Sequence, residues 1–284
     1  MHAFRLTALA AVAAVPLIAV GAHAQDAPRD DDWRAHSFDG PYVSGAIGWA
    51  NGANGSNNHL SFDRNADGTY GDTVTTASGA DAFAPGFCHG YYQSTTPGDC
   101  RPDRNRIDYA ARVGWDKRMG HLVAGALFEG STNKTRDATS AFDSDGNAYR
   151  ISRGIDYGFA VRGRVGWTPN GGGLFYGTAG VGYAKMKHVF RTTNTTNSFD
   201  EVNPDSWRWG WQDGGGAEVM VAPKVSVGLE WLYNQYRDNK YYVAVTQGTA
   251  PATSPFVLAG GQTDMRASRN YRFNTFRGTL SYHF

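Results

Sequence analysis

Eight stretches of the chain alternate apolar and polar residues with a period of two, and this alternation limits the available folds more than any other feature. A period of two predicts a β-strand with one apolar face and one polar face. In the last stretch, Phe276, Leu280, Tyr282 and Phe284 share a face. The eight stretches are 40–50, 105–116, 121–130, 156–167, 173–185, 212–222, 224–236 and 274–284.

The connections between these stretches alternate in length. Three of them are tight and contain turn residues, in the segments KRMG, TPNGG and APK. Short links of this kind join antiparallel neighbours, so each hairpin has one tight end and one open end. The four long connections are rich in Asn, Thr, Asp, Gly and Ser, and they cover 51–104, 131–155, 186–211 and 237–265.

The two faces of the strands bear on the choice between a soluble and a membrane-embedded barrel. A soluble β-sandwich or lipocalin-like barrel also combines apolar inner faces with polar outer faces. Here, however, aromatic residues such as Trp49, Trp115 and Trp167 gather near the ends of the stretches, which is typical of girdles at membrane interfaces. Small residues dominate the charged face, as crossing side chains inside a narrow barrel require. They are Gly114, Gly166, Gly214, Gly216 and Gly228.

These observations favour a membrane-embedded barrel. A closed barrel also leaves no unpaired strand edge in hydrocarbon. The stretches have about the 9–11 residues that a tilted strand needs to cross a bilayer. The sequence therefore predicts an all-β fold. We expect an eight-stranded antiparallel up-and-down transmembrane β-barrel with short periplasmic turns and four long external loops.

Charged side chains recur on the strand face that would point into the lumen. An eight-stranded barrel has an interior just wide enough for side chains to fill, and buried charges must be paired. We therefore expect a network of charge-assisted hydrogen bonds that closes the lumen, with a gate that opens by partner exchange as the alternative. Asp108 shares this face. The predicted network consists of Arg112, Glu129, Arg162, Arg164, Glu218, Glu230 and Arg277.

The first residues have the pattern of an export signal. Arg5 precedes an apolar run from Leu6 to Val20, and Ala22-His23-Ala24 resembles a cleavage site. This order of charged, apolar and small residues predicts a secretory signal peptide. The predicted segments are a signal peptide over 1–24, a short periplasmic segment over 25–39 and the outer-membrane barrel over 40–284.

The two cysteines, Cys88 and Cys100, lie in the first long connection. An exported protein meets oxidising conditions, so we expect these residues to form a structural disulfide. Metal binding is the alternative, with His89 as the additional ligand nearby. A disulfide across this short separation would close and stiffen the loop.

A second motif in that connection resembles the beginning of a calcium-binding loop. Asp63, Asn65 and Asp67, followed by Gly68, fit the D-x-N-x-D-G pattern, in which alternate oxygens face a cation. The twelfth position, however, is Val74 rather than a bidentate Glu. The same residue types form ordinary turns. A turn is therefore the preferred interpretation, and no metal or other cofactor is predicted.

Neither nucleic-acid binding nor catalysis is favoured by the sequence. Without Arg5, Lys and Arg number 27 − 1 = 26, equal to the 26 Asp and Glu, so no basic excess points to nucleic acid. A lipid-modifying enzyme needs a nucleophile, a base and an acid that converge at one interface. His121, His188 and His283 show no such spacing with Ser and Glu and are interpreted as interfacial polar residues. No catalytic residue is predicted.

Five segments carry a resemblance to a known family: FDGPYVSGAIGWA, RGRVGW, LFYGTAGVGYA, GGGAEVMVAPKVSVGLEWLYNQYRD and NTFRGTLSYHF. The chain resembles the small outer-membrane β-barrel family that includes the Omp25/Omp31-type and opacity-like porin-domain proteins of Gram-negative bacteria. The resemblance implies an outer-membrane location and a terminal aromatic strand read by the barrel assembly machinery. The residues of this implied assembly signal are Phe276, Leu280, Tyr282 and Phe284.

Three functions remain open at this point. The first is an outer-membrane structural or surface barrel with a plugged lumen, acting in envelope integrity or in contacts of its loops with an unknown surface ligand. Its expected partners are outer-membrane lipid, lipopolysaccharide and the assembly machinery. The second is a small-solute channel, and the third is a lipid-modifying enzyme. The aromatic segments 206–211 and 240–245 are candidate contact surfaces, although strand extension above the membrane is the simpler interpretation.

Overall fold

The computed structural model describes residues 37–52, 59–169 and 172–284, so the predicted signal peptide over 1–24 lies outside the described residues. The chain divides into Met1–Asp31 and Asp32–Phe284, and all described strands belong to the second unit. The strands are β1 (Gly40–Gly52), β2 (Ser61–Asp63), β3 (Gly86–His89), β4 (Tyr91–Tyr92), β5 (Cys100–Arg101), β6 (Arg106–Met119), β7 (Leu122–Asn133), β8 (Arg136–Phe142), β9 (Ala148–Trp167), β10 (Gly173–Thr192), β11 (Ser198–Val202), β12 (Asp205–Ala222), β13 (Val225–Arg237), β14 (Tyr242–Thr246), β15 (Gln262–Arg266) and β16 (Asn270–His283).

Eight of these strands form a closed barrel. The ring runs β1, β6, β7, β9, β10, β12, β13 and β16, and β16 pairs back with β1. Every neighbouring pair in the ring is antiparallel. Closure hydrogen-bonds each barrel strand on both sides, which removes the open edges that hydrocarbon does not tolerate. The predicted all-β, eight-stranded fold is confirmed.

The barrel strands are longer on the long-loop side than the alternation indicates. β9 and β10 each contain 20 residues, and β12 contains 18. About 9–11 residues cross a bilayer, so these three strands continue well beyond the membrane. Residues 206–211 lie in β12 and are a strand extension, as the simpler interpretation holds.

The outward row of the barrel is apolar. Ile47 and Val165 are each 58% exposed, and Leu229 is 73% exposed. Aromatic side chains lie toward both ends of the row, including Trp115 at the short-turn end and Trp209 at the long-loop end. Exposing such an apolar surface to water is unfavourable, whereas contact with lipid acyl chains is not. No helix in the described part of the chain is long and apolar enough to cross a membrane.

The long connections form a second folded layer, here called the cap. A four-stranded sheet has the order β11, β14, β15 and β2, while β3 pairs with β8 on the edge of the barrel sheet. The cap has its own apolar core, built from Leu60, Phe62, Val74, Ala82, Phe83, Ala141, Tyr149, Ile151, Phe190, Tyr241, Val243, Val245, Phe256, Met265 and Ala267.

The cap differs from the polar loops expected from sequence. Tyr241, Val243 and Val245 of the candidate contact segment 240–245 are buried in the cap core. The segment therefore stabilises the cap through its apolar side chains and presents only its alternate residues outward. Strands as short as β2 and β14 contain too few residues for a period of two to stand out from composition.

Candidate functional site

The centre of the lumen contains three arginines and three carboxylates in contact. Glu129 accepts hydrogen bonds from Arg162 at 2.6 Å and from Arg277 at 2.8 Å. The Nε atom of Arg112 lies 3.1 Å from the Oε2 atom of Glu129. Glu129 is fully buried, so one carboxylate balances charge from three guanidinium groups in a water-poor interior.

Two further carboxylates complete this central network. Arg112 forms a bidentate pair with Glu230, with N–O distances of 2.6 and 3.1 Å. Arg277 donates to Asp108 at 2.5 Å. Tyr176 also donates to Glu230, at 3.0 Å. The central network therefore balances three positive charges with three negative ones.

A second ion-pair cluster lies nearer the short turns. Arg164 donates to Glu218 at 2.8 Å and forms two hydrogen bonds with Asp116, one of them through Nε at 2.8 Å. The residues are all buried. Asp116 is not included in the network expected from sequence. Its even spacing from Asp108 and Arg112 in the alternating stretch places it on the same face, and this spacing could have indicated it.

Glycines on the lumen face make room for aromatic rings. A Cβ atom on Gly114 would lie 2.4 Å from Cζ of Tyr42, and one on Gly216 would lie 2.6 Å from the hydroxyl oxygen of Tyr176. Neither separation is compatible with a side chain. Small residues on the charged face thus allow Tyr42 and Tyr176 to cross the interior.

Apolar clusters lie on both sides of the charged layer. Near the short turns, Phe38, Val123, Leu174, Tyr176 and Met220 pack together. Near the long-loop ends of the strands, a second cluster consists of Ala50, Ile155, Ala184, Met186, Tyr236, Tyr271 and Phe273. The lumen is therefore filled in layers, with ion pairs between two apolar clusters.

A buried polar cluster lies where the cap meets the barrel. Arg153 donates to Asp137 at 3.0 Å and to Asp238 at 3.1 Å, and it also bonds both the carbonyl and the hydroxyl oxygen of Ser268. His188 Nε2 lies 2.9 Å from Asp238. Burial opposes the charged form of Asp238, but the contacts with His188 and Arg153 outweigh it and hold the pKa of this carboxyl below its usual range.

The expectation that His188 is an interfacial residue is wrong. The residue is 5% exposed, and its ring stacks on Tyr241 at a centroid distance of 4.1 Å. The Nδ1 atom lies 3.0 Å from the carbonyl oxygen of Pro204. His188 lies in the long extension of β10 that pairs with β9, opposite Arg153, and it contacts Tyr241 of the cap core. Residues 186–211 alone do not indicate this contact, because Tyr241 belongs to a different connection.

His283 also lies inside rather than at an interface. Its Nε2 atom is 3.0 Å from the hydroxyl oxygen of Ser226, which donates to Glu218 at 3.1 Å. A catalytic triad would place the acid on the histidine, whereas here the serine lies between the two. The ring of Phe38 packs edge-on against His283 at 5.5 Å. This arrangement fits a packed polar contact rather than an activated nucleophile.

The calcium-like motif forms a turn. Asp63 is fully buried, and its carboxylate accepts the backbone N–H groups of Asp67 at 3.1 Å and Gly68 at 2.6 Å. Asn65 donates to Asp67 at 3.0 Å. The carboxylate oxygens of Asp63 are thus engaged by the loop backbone, as the turn interpretation expects.

The remaining predicted residues lie in the cap, on the outer face of β16 and, for Phe284, directly after β16. Cys88 and Cys100 form a disulfide with a Cα–Cα distance of 6.4 Å, which ties β3 to β5. The residues of the implied assembly signal all face outward in the lipid row, with exposed fractions of 42% for Phe276, 51% for Leu280, 42% for Tyr282 and 64% for Phe284. Their role in assembly stays a prediction.

Asp103 in the cap gives a pH-dependent prediction. Burial raises the pKa of Asp103 to about 7, and the nearby carboxylate of Asp137 adds to the rise. The folded cap therefore holds a proton that the unfolded chain releases near pH 3.8. Cap stability should fall as the pH rises from about 4 to 7 and then level off, by about 1 kcal/mol after allowing for partial exposure.

Urea unfolding of the cap, followed by hydrogen exchange at pH 5 and pH 8, measures this difference. In Asp103→Asn the part of the pH dependence that comes from this carboxyl should vanish, while the fold is retained. Identical pH profiles for the wild-type protein and Asp103→Asn would contradict the assignment.

The architecture and its interior define a class of protein. A closed eight-stranded barrel with an apolar outward row and a paired, charged interior is an outer-membrane β-barrel. The chain belongs to the outer membrane protein beta-barrel domain family, whose model matches residues 10–284. This membership gives its location as the outer membrane.

Solved outer-membrane proteins are similar to this chain at low sequence identity. OprG from Pseudomonas aeruginosa is 9% identical, with a TM-score of 0.47 over 87% of this chain and 98% of that chain. The protease OmpT from Escherichia coli is 11% identical, with a TM-score of 0.39 over 87% and 97%. The attachment invasion locus protein Ail of Yersinia pestis is 10% identical, with a TM-score of 0.35 over 87% and 99%. No curated protein matches the chain significantly.

Proposed function

We propose that this protein is a structural and surface barrel of the outer membrane whose lumen is closed by side chains. Its role is to maintain envelope integrity or to make contacts outside the cell through the cap. The observation that carries this proposal is the layered filling of the lumen. Ion pairs around Glu129 and Glu230 lie between the cluster containing Phe38 and the cluster containing Phe273.

Energetics support a closed lumen. The six charged groups of the central network are each at most 4% exposed, so opening a water path through them requires breaking several charge-assisted bonds together. Removing one partner of such a buried pair typically costs about 3–5 kcal/mol. The folded cap, which has its own core, adds a further layer on the external side.

A small-solute channel is the second candidate. It is supported by the several partners available to Arg277, whose Nη1 atom lies 2.8 Å from Glu129 and 3.8 Å from Glu230. Exchange between such partners would provide a gate with little change in total charge. A channel would have to open both apolar clusters as well.

We propose no catalytic role. One neighbour bears the name of a protease, but the histidine contacts in this chain support packing. Both ring nitrogens of His188 are engaged, by Pro204 and Asp238. His283 contacts Ser226 within a buried site beside Phe38.

Planar-bilayer conductance of the refolded barrel tests the proposal. We expect a silent bilayer once insertion is verified by heat-modifiable gel mobility, because the filled lumen offers no hydrated path. Arg237→Gln, which changes an exposed arginine at the end of β13, provides a control for altered surface charge. Frequent uniform openings whose ion selectivity shifts in Arg277→Gln would contradict a closed lumen and identify a channel.

A further inference from the structure

An arginine-lined pocket lies on the outside of the cap, close to the end of the barrel. It has a volume of about 230 Å³ and is bounded by the β4–β5 hairpin, the segment that leads into β6, and the start of β8. Four of its six lining residues are arginines. The lining consists of Tyr91, Arg101, Pro102, Arg104, Arg106 and Arg136.

The pocket has an excess of positive charge. Arg101, Arg104, Arg106 and Arg136 are exposed, and none forms an ion pair with a carboxylate of the described residues. Asp103 is the acidic neighbour in sequence; its carboxyl oxygens accept the backbone N–H of Ala138, and burial raises its pKa to about 7, which lowers the negative charge it contributes near neutral pH. Four guanidinium groups in one concavity repel one another unless an anion lies between them.

Two tyrosines and a fifth arginine support the wall of the pocket. The guanidinium of Arg150 lies 4.7 Å from the ring centre of Tyr91 and 5.5 Å from that of Tyr92. Arg101 contacts Tyr91 from 5.7 Å. Cation–π contacts of this kind hold the arginines without neutralising them. The Nε atom of Arg150 is buried without a hydrogen-bond partner among the described residues.

The disulfide fixes this wall in place. Cys100 directly precedes Arg101 in β5, and Cys88 lies in β3, which pairs with β8. The hydroxyl of Ser140 in β8 donates to the carbonyl oxygen of Gly90 at 2.8 Å, and the N–H of Tyr92 donates to the same hydroxyl at 3.1 Å. These bonds give the pocket a defined shape before any ligand arrives.

The position of the pocket indicates the source of the anion. Arg106 immediately precedes Ile107, which is 56% exposed in the apolar outward row. Ile107 pairs with Trp49, which is 57% exposed in the same row. Arg106 therefore lies where the lipid-facing surface ends, and the pocket that it lines opens near the level of the lipid headgroups.

We propose that this pocket binds a phosphate group carried by an anionic lipid of the outer leaflet. Guanidinium groups recognise phosphate oxygens through paired hydrogen bonds, and a phosphate between Arg104 and Arg136 would relieve their mutual repulsion. The inference rests on the outer-membrane location of the barrel and does not depend on whether the lumen conducts.

Binding of phosphorylated lipid A to the detergent-solubilised barrel tests the inference, with native mass spectrometry as the readout. We expect Arg104→Gln/Arg136→Gln to weaken binding at least tenfold, because two of the four lining charges are lost. Arg237→Gln/Arg269→Gln removes the same charge from exposed positions elsewhere and should change binding less than twofold. Heat-modifiable gel mobility verifies that all variants fold.

Several results would overturn the inference. Equal losses in the two double variants would indicate attraction by net charge rather than a site. Equal binding of dephosphorylated lipid A would exclude the phosphate. Pyrophosphate binding as tight as that of phosphorylated lipid A would assign the pocket to a soluble anion, and binding of a sulfated polysaccharide without lipid A would assign it to a different macromolecule.

Discussion

Replacing Glu129 by Gln is expected to lower the free energy of unfolding by about 3–5 kcal/mol. Glu129 is the carboxylate shared by Arg112, Arg162 and Arg277, at distances of 3.1, 2.6 and 2.8 Å. A glutamine keeps the size of the side chain but removes its charge and turns N–H donors toward a guanidinium. The central network is then left with one uncompensated positive charge. Urea unfolding of the barrel in lipid vesicles, followed by tryptophan fluorescence, measures the loss.

A second substitution separates charge imbalance from loss of packing. Arg162 makes a single hydrogen bond, and its Nε and Nη1 atoms have no hydrogen-bond partner in the described part of the chain. Glu129→Gln/Arg162→Gln restores the charge balance with the smallest loss of bonds. We expect this double variant to be more stable than Glu129→Gln alone. Destabilisation that is additive would show that the network is not governed by charge balance.

An exposed ion pair provides the matched control. Lys187 lies 2.9 Å from Asp156, with exposed side-chain fractions of 41% and 36%. Water screens such a pair, so Lys187→Gln should change stability by less than about 1 kcal/mol. If Glu129→Gln unfolds at the same urea concentration as the wild-type protein and Lys187→Gln, the buried network contributes no net stability.

Replacing Arg153 by Met is expected to loosen the cap and leave the barrel intact. Arg153 is fully buried and neutralises both Asp137 and Asp238. Methionine retains much of the apolar stem but removes the positive charge that faces two buried carboxylates. We expect this loss to lower the stability of the cap by about 3–5 kcal/mol. The bonds to Ser268 and Asn270, which hold the chain between β15 and β16, are lost as well.

Hydrogen exchange reports this effect segment by segment. In Arg153→Met, amides of β14 and β15 should exchange much faster, whereas those of β13 and the barrel part of β16 should stay protected. Arg237→Met removes an exposed arginine and should change neither set. Loss of heat-modifiable mobility in Arg153→Met would instead show that the cluster stabilises the barrel and the cap as one unit.

The lumen illustrates how far periodicity can take a prediction. Alternation places Arg112 and Arg277 on the inner face, and closure of eight strands leaves little room there except for paired charges. The partner of each arginine depends on the register, because Arg112 lies opposite Glu129 and Arg277 lies opposite Glu230. Register is set by turn geometry and ring closure, so the bidentate pair between Arg112 and Glu230 has no sequence signature.

The cap illustrates what periodicity misses. Phe62 in β2 pairs with Met265 in β15, and both side chains are buried in the cap core. Their strands are only three and five residues long and lie among turn residues. Such short runs have no readable period, and the core exists only because the barrel brings distant connections together.

The sequence alone determined the eight-stranded barrel, its apolar outward row and the charged inner face, because a membrane imposes one side-chain period on every crossing strand. It also indicated the disulfide between Cys88 and Cys100, since a chain with two cysteines has one intramolecular choice. The tertiary structure alone decided which charges meet in the lumen, that His188 lies beneath the cap, and that four arginines share a pocket. Those contacts join residues far apart in the chain, and their distances follow from strand register and closure rather than from local pattern.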